Sequence, residues 1–117
     1  MSFDIAELMH GSMQVVIAAE SPYFEGHFPG DPILPAVAQI LLLETLLRFS
    51  HGNGAWISGL SHARFVRPIR PGERIAVRIF LDLGFRTKGV HISEFTIKRG
   101  AQEVSGGSFL WHSGLPA

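Results

Sequence analysis

The feature that most constrains this chain is the segment AVAQILLLETLLRF at residues 36–49, which is rich in leucine and contains neither glycine nor proline. This composition favours an α-helix, and SHGNG at residues 50–54 is typical of a helix end. Apolar side chains fall on several sides of this helix instead of forming one stripe. We therefore expect a helix from about Ala36 to about Ser50, enclosed by other parts of the fold.

The rest of the chain supplies strand-like segments for that purpose. In ERIAVRIFLDL, apolar residues alternate with charged ones, which predicts a strand with one buried face. One such segment precedes the helix and four follow it, separated by PIRPG, GFRTK and RGAQ: MQVVIAA (13–19), AWISGLSHARFVRP (55–68), ERIAVRIFLDL (73–83), GVHISEFTIKRG (89–100) and QEVSGGSFLWH (102–112). Strands around one helix predict the α+β class, with an antiparallel sheet curled over a single helix in one domain, residues 1–117.

Composition excludes several functions. Ten basic and ten acidic residues give zero formal net charge, so no global charge attracts nucleic acid or an anionic membrane. The sequence has no cysteine, which removes disulfides, thiolate catalysis and cysteine zinc sites. The N-terminal MSFDIAELMH lacks the basic start of a signal peptide, and the longest apolar run is too short for a membrane span. We expect a soluble, cytoplasmic protein.

A single histidine lies in the proline-rich segment YFEGHFPGDPILPA that leads into the helix. Histidine gives and takes protons near neutral pH, prolines limit loop motion, and glycines at 26 and 30 permit turns. His27 is therefore a candidate general base, with a histidine bonded to a backbone carbonyl as the alternative. His91 and Glu94 have metal-like spacing but point to opposite faces of a strand, so we expect neither a metal nor a cofactor.

Three segments of the sequence resemble a known family. GHFPGDPILPAVAQ (26–39) resembles the active-site segment of the β-hydroxyacyl-acyl-carrier-protein dehydratases, G-H-F-P-G-x-P-[IVM]-[LM]-P-G-V, which leads into the central helix of a hotdog fold. LSHARFVRPIRPGERIAV (60–77) and GAQEVSGGSFLW (100–111) resemble later segments of the same family. The resemblance covers roughly residues 13–112. It implies a hotdog fold and a 3-hydroxyacyl-thioester dehydratase, a lyase, of fatty acid or related acyl or polyketide synthesis.

The resemblance also implies roles for individual residues. His27 takes the proton α to the thioester carbonyl, and the backbone N–H of Ala36 binds that carbonyl with help from the helix dipole. Gly30, Gln39 and Leu41 are further candidates for substrate binding, with Leu41 expected to line the acyl tunnel close to His27. The family's helix acid, which protonates the departing hydroxyl, falls at Leu41 in this sequence, so the usual acid is missing.

Three polar residues are candidates to replace that acid. Glu44 is one helical turn beyond Leu41 and about 60° around the helix, which makes it a candidate catalytic residue. The alternative is an ordinary i,i+4 salt bridge between Glu44 and Arg48. Gln39 can orient a hydroxyl group but cannot donate a full proton to it, and Asp31 has at most a supporting role.

Partners and alternative functions follow from the same resemblance. In the family, each site combines the histidine of one subunit with the helix acid of another, which implies a homodimer or a higher assembly of dimers. Five arginines between residues 64 and 78 are either a docking surface for an acidic acyl carrier protein or a solvated strand edge. Coenzyme A is the alternative carrier. The shortened N-terminus and LPAVAQ resemble accessory dehydratase-like proteins, and a hotdog thioesterase or a non-catalytic acyl-binding subunit remain alternatives.

Overall fold

The computed structural model describes residues 4–9, 12–21, 24, 33–87 and 89–113, with the backbone alone for residues 4–9 and 81–87. Within these ranges the chain forms one helix and six strands: β1 (Asp4–Met9), β2 (Ser12–Val16), α1 (Ala36–His51), β3 (Trp56–Phe65), β4 (Arg74–Thr87), β5 (Val90–Arg99) and β6 (Gln102–His112). The strands make a single antiparallel sheet in the order β1-β2-β4-β5-β6-β3. The predicted α+β class and the predicted helix are confirmed.

Helix α1 packs one side against the sheet. The side chains on that side are buried and, except for one glutamine, apolar: Ala38, Gln39, Leu42, Leu43, Leu46 and Leu47. They join a core to which β5 and β6 contribute Phe95, Phe109 and Trp111. The opposite side of the helix is open, since 62% of Val37 and 73% of Phe49 remain exposed. The sheet of this one chain thus leaves part of the apolar helix surface uncovered.

The strand predictions are right for five of the six strands and wrong about two details. β1 was not predicted, although its residues pair with β2 from Asp4 to Met9. GFRTK was predicted as a separator, but β4 continues through Gly84 and Phe85, which pair with β5 after a register shift. The chain instead turns next to Gly89, whose φ of +80° is the conformation that favours glycine. The predicted separator is therefore longer than the turn, which lies at its C-terminal end.

An irregularity in the β5–β6 ladder shapes the helix side of the sheet. Ile97 pairs with Ser105 and Lys98 pairs with Glu103, so Val104 is an extra residue without a partner on β5. Such a bulge allows two consecutive side chains to point into the interior. Val104 and Ser105 are both completely buried.

The backbone of β6 also approaches the edge strand β3 closely. Gly107 has φ +151°, and a Cβ added there would lie 2.7 Å from the Cα of Ala63. Ala63 follows His62, which has a positive φ of 54°, in a stretch where the β3–β6 register shifts. Only glycine leaves room for this backbone approach.

We predict that Gly107→Ala lowers stability by about 1–3 kcal/mol, because the added methyl meets backbone atoms that cannot move aside. Gly59→Ala on β3 is the matched control, since nothing lies within 4 Å of a Cβ at that position. Thermal or urea unfolding of both variants measures the difference. Equal stability of the two variants would contradict the close approach of β3 and β6.

Candidate active site at the helix N-terminus

A cleft of about 490 Å³ opens beside the N-terminus of α1. One wall is formed by residues 33–36 together with Gln39, and the other by residues 65–68, which follow β3. The Leu34 N–H donates to the Ile69 carbonyl at 2.7 Å and ties the two walls together. Val104, the bulged residue of β6, accepts hydrogen bonds from the N–H groups of Val66 and Arg67 at 2.9 and 3.2 Å. The cleft is therefore built on a fixed backbone frame.

The helix N-terminus at this cleft has no side-chain cap. Pro35 occupies the N-cap position in an extended conformation, and its carbonyl accepts the N–H groups of Ala38 and Gln39 at 3.0 and 3.2 Å. The first turn holds no acidic residue. Ala36 is exposed, and its N–H has no acceptor among the residues that the structure describes. Free N–H groups and the positive end of the helix dipole suit an oxygen that carries partial negative charge.

Gln39 adds a polar side chain to the same cleft. It is only 3% exposed, and its Oε1 accepts a hydrogen bond of 2.8 Å from the hydroxyl of Ser105 on β6. Sequence reasoning selected Gln39 but missed Ser105. The two residues are 66 positions apart, so no local pattern connects them, and the pairing exists only because β6 packs against α1.

The predicted arginine cluster is divided in the structure. Arg67 lines the cleft, and its Nη1 donates to the Glu103 carbonyl at 2.6 Å. Arg64 binds the Glu103 carboxylate through two hydrogen bonds of 2.8 and 3.1 Å, and these bonds lower the pKa of Glu103. Arg74 and Arg78 lie exposed along β4. Arg67 is thus the arginine of this set that the structure places at the cleft.

Leu41 and Glu44 lie on α1 outside its fully buried side, and both are partly buried. Glu44 forms a 3.2 Å salt bridge with Arg48, and its Oε2 accepts the N–H of Ile57 on β3 at 3.0 Å. Arg48 in turn donates from Nε to the Ala55 carbonyl at 2.9 Å. Both carboxylate oxygens of Glu44 act as acceptors that fasten the helix to the start of β3. This geometry favours the salt-bridge alternative over a role as proton donor.

The predicted base His27, together with Gly30 and Asp31, lies outside the described residues. The chain on either side of that segment is anchored in the core, because Phe24 and Leu34 are 6% and 2% exposed. In the described ranges, no three histidine, cysteine or acidic side chains gather as metal ligands do. No helix in those ranges has the length and hydropathy to cross a membrane.

One helix lying across an antiparallel sheet, with a cleft at the helix N-terminus, defines a hotdog-fold protein. The comparison with protein families shows to which family of hotdog proteins the chain belongs. The model of the ApeI-like family, described as ApeI dehydratase, matches residues 7–108. The chain belongs to this family, which confirms the dehydratase resemblance of the sequence.

Individual relatives agree with this assignment. The chain is 35% identical over 91 residues to 3-hydroxyacyl-[acyl-carrier-protein] dehydratase FabZ of Chloroflexus aggregans. The matched region covers 67% of this chain and 61% of the length of that relative. The dehydratase heterocomplex ApeI:P from Xenorhabdus doucetiae superimposes with a TM-score of 0.74 at 22% identity, covering 96% of this chain and 99% of the other. The F36A mutant of the fluoroacetyl-CoA-specific thioesterase FlK, with fluoroacetate and CoA, superimposes with a TM-score of 0.62 at 13% identity, covering 86% and 88%. These two structural matches establish the fold alone.

We predict that Glu44→Ala destabilises the protein by about 1–2 kcal/mol, because the partly buried N–H of Ile57 then loses its acceptor. Glu44→Gln keeps an acceptor oxygen and removes the charge, so it should cost less than half as much, as expected for a partly exposed ion pair. Chemical denaturation of both variants measures these costs. If Glu44→Ala were as stable as the parent protein, the fastening role of Glu44 would be wrong.

Proposed function

We propose that this protein is a 3-hydroxyacyl-thioester dehydratase that eliminates water and forms an enoyl thioester. The observation that carries the proposal is the open cleft at an uncapped helix N-terminus in a chain of the ApeI-like dehydratase family. The N–H of Ala36 and the helix dipole are suited to binding the thioester carbonyl and stabilising the negative charge that develops on it. The FabZ relative bears the same activity in its name.

In the proposed reaction, His27 is the base. It removes a proton from the carbon next to the thioester carbonyl, and the electron pair is delocalised onto the carbonyl oxygen. The electron pair then forms the carbon–carbon double bond as the 3-hydroxyl group leaves. That hydroxyl must gain a proton to depart as water. The sum of the two steps is the loss of one water molecule from the substrate.

The departing hydroxyl group needs a proton donor, and the resemblance places the family's acid at an apolar residue of this chain. The position that matches the family's acid is Leu41, and Glu44 is engaged by Arg48 and Ile57. We propose that the proton taken up by His27 returns to the leaving hydroxyl group, either directly or through a water molecule that passes it on. We expect a slower reaction than in an enzyme with a positioned acid, since such a group contributes roughly 10²–10⁴-fold.

The proposed substrate is a thioester of an acyl carrier protein or of coenzyme A. Arg67 at the cleft is the described arginine best placed to meet the phosphate of either carrier, since guanidinium groups bind phosphate well. The proposed assembly is a homodimer, supported by the exposed apolar side of α1 at Val37 and Phe49 and by the edge position of β3. A complex of two different hotdog chains, as named for the ApeI:P structure, is the alternative assembly.

A hotdog thioesterase is the second candidate function. Donors at a carbonyl serve hydrolysis as well as elimination, because both reactions place negative charge on that oxygen. Gln39 in the cleft is the observation that keeps this candidate open. A non-catalytic acyl-binding subunit would use the same cleft without either reaction.

We predict that His27→Ala abolishes dehydration while stability and thioester binding change little, because an uncharged base adds little to ground-state affinity. Turnover of a 3-hydroxyacyl thioester, thermal unfolding and binding of an acyl thioester are measured on the same preparation. If His27 is structural instead, the variant loses about 1–3 kcal/mol of stability. A destabilised variant whose remaining folded fraction is fully active would contradict the proposal.

We predict that Leu41→Glu raises dehydratase activity, because it restores a carboxyl group at the position of the family's acid. The expected gain is a large part of the ~10²–10⁴-fold contribution of a positioned acid. Leu41→Gln is the control, because glutamine has nearly the same size as glutamate and cannot supply that proton. Equal rates for the parent protein and both folded variants would show that Leu41 is not at the reacting atoms.

We predict that the purified chain is a dimer at micromolar concentration, because a single sheet leaves one side of α1 and the edge of β3 uncovered. Sedimentation equilibrium measures the mass, and Phe49→Lys should weaken the association by placing a charge on the apolar side. A stable folded monomer would contradict the homodimer and would favour a requirement for a different hotdog chain.

A further inference from the structure

A buried polar pair interrupts the apolar contact between α1 and β6. Gln39 is 3% exposed and Ser105 is completely buried, yet their neighbours in the core are almost all hydrophobic. The Ser105 hydroxyl donates to Gln39 Oε1 at 2.8 Å. A polar pair in such a place costs free energy to desolvate, so its geometry calls for a physical explanation.

The pair leaves one polar group of Gln39 available. Its Nε2 donates to no acceptor among the described residues, and Gln39 lines the cleft at the helix N-terminus. In the structure Oε1 accepts the Ser105 hydroxyl, and the NH₂ group is at the other end of the carboxamide. The donor end is therefore the end offered to a molecule in the cleft.

We propose that the Gln39 carboxamide is a second hydrogen-bond donor to the thioester carbonyl oxygen, next to the N–H of Ala36, and that Ser105 is the positioning residue that sets its orientation. This inference rests on the proposed function only in that a thioester occupies the cleft. It applies to elimination and hydrolysis alike, since both reactions increase the negative charge on the same oxygen.

The direction of the side chain favours the carbonyl over the 3-hydroxyl group. Side chains on a helix lean toward its N-terminus, so Gln39 leans toward the first turn, where the N–H of Ala36 is open. Leu41, at the position of the family's acid, lies about 160° away around the helix axis. An NH₂ group is also a pure donor, which suits an oxygen that gains negative charge.

The bulge in β6 explains how the pair is held. Ser105 shares the inward face of β6 with Phe109 and Trp111, both 1% exposed. The extra residue, Val104, holds the opposite wall of the cleft through the N–H groups of Val66 and Arg67. One short stretch of β6 thus positions both the Gln39 amide and the wall that faces it.

The test compares two ligands that differ at the carbonyl alone: butyryl-pantetheine, a thioester, and S-butyl-pantetheine, the matching thioether. Neither has a 3-hydroxyl group, so elimination cannot interfere. Calorimetric Kd values are measured for the His27→Ala protein, which is the parent in this comparison, and for the same protein carrying Gln39→Leu or Ser105→Ala. We expect this parent to bind the thioester about tenfold more tightly than the thioether. Gln39→Leu should lose at least fivefold of that preference, and Ser105→Ala should lose part of it.

Two further variants keep the result decisive. Gln39→Leu/Ser105→Ala removes both partners of the buried pair, so it leaves no unsatisfied group and should fold if either single variant does not. Gln39→Glu places a carboxylate where the donor was and should reverse the preference, because negative charge repels the carbonyl oxygen. A thioester preference that survives in a folded Gln39→Leu or double variant overturns the inference, as does a parent protein without any preference.

The outcomes also separate the inference from the proposed function. If the preference depends on Gln39 but the active protein releases a free acid, the second donor is supported and the dehydratase is wrong. If dehydration depends on His27 while the preference is insensitive to Gln39, the dehydratase stands and the second donor is wrong. Binding of neither ligand contradicts both.

Discussion

The packing of one side of α1 against the antiparallel sheet is the interaction on which the rest of this structure depends. Four leucines and Ala38 on that side meet the aromatic side chains of β5 and β6, and the contact fixes where the helix begins. Its N-terminus falls beside residues 65–68 and leaves a cleft between them. The burial of apolar surface that stabilises the fold thus also places the exposed N–H of Ala36 at this cleft.

Polar groups around the cleft follow from departures from regular secondary structure. The N-cap is Pro35, which supplies no side-chain acceptor; its carbonyl accepts the N–H groups of Ala38 and Gln39, and the N–H of Ala36 stays available among the described residues. The bulge at Val104 disrupts the β5–β6 ladder, and its carbonyl accepts two N–H groups from the opposite wall instead. On the other side of the helix, Glu44 and Arg48 satisfy the backbone of β3. The N-terminal end of the helix at the cleft and the part fastened to β3 are therefore chemically distinct.

The sequence allowed the helix, most strands and the family to be predicted, because these depend on local periodicity and on a contiguous motif around His27. It failed where a signal was local but ambiguous: GFRTK predicts a separator between strands, whereas β4 continues through Gly84 after a register shift and the chain turns next to Gly89. It failed again where partners are distant in sequence. Ser105 has no feature that distinguishes it from other strand serines until the fold brings it to Gln39. Glu44 had two interpretations, and the contact with Ile57 that favours the structural one is likewise long-range.

The central claim is that this cleft binds a 3-hydroxyacyl thioester and removes water from it. The most direct measurement is mass spectrometry of the products formed when the purified chain acts on 3-hydroxybutyryl-pantetheine, followed over time beside the His27→Ala variant. We expect the parent protein, but not the variant, to form an enoyl-pantetheine that is lighter than the substrate by one water molecule. Release of free 3-hydroxybutyrate and pantetheine thiol, or equal product from both proteins, would contradict it.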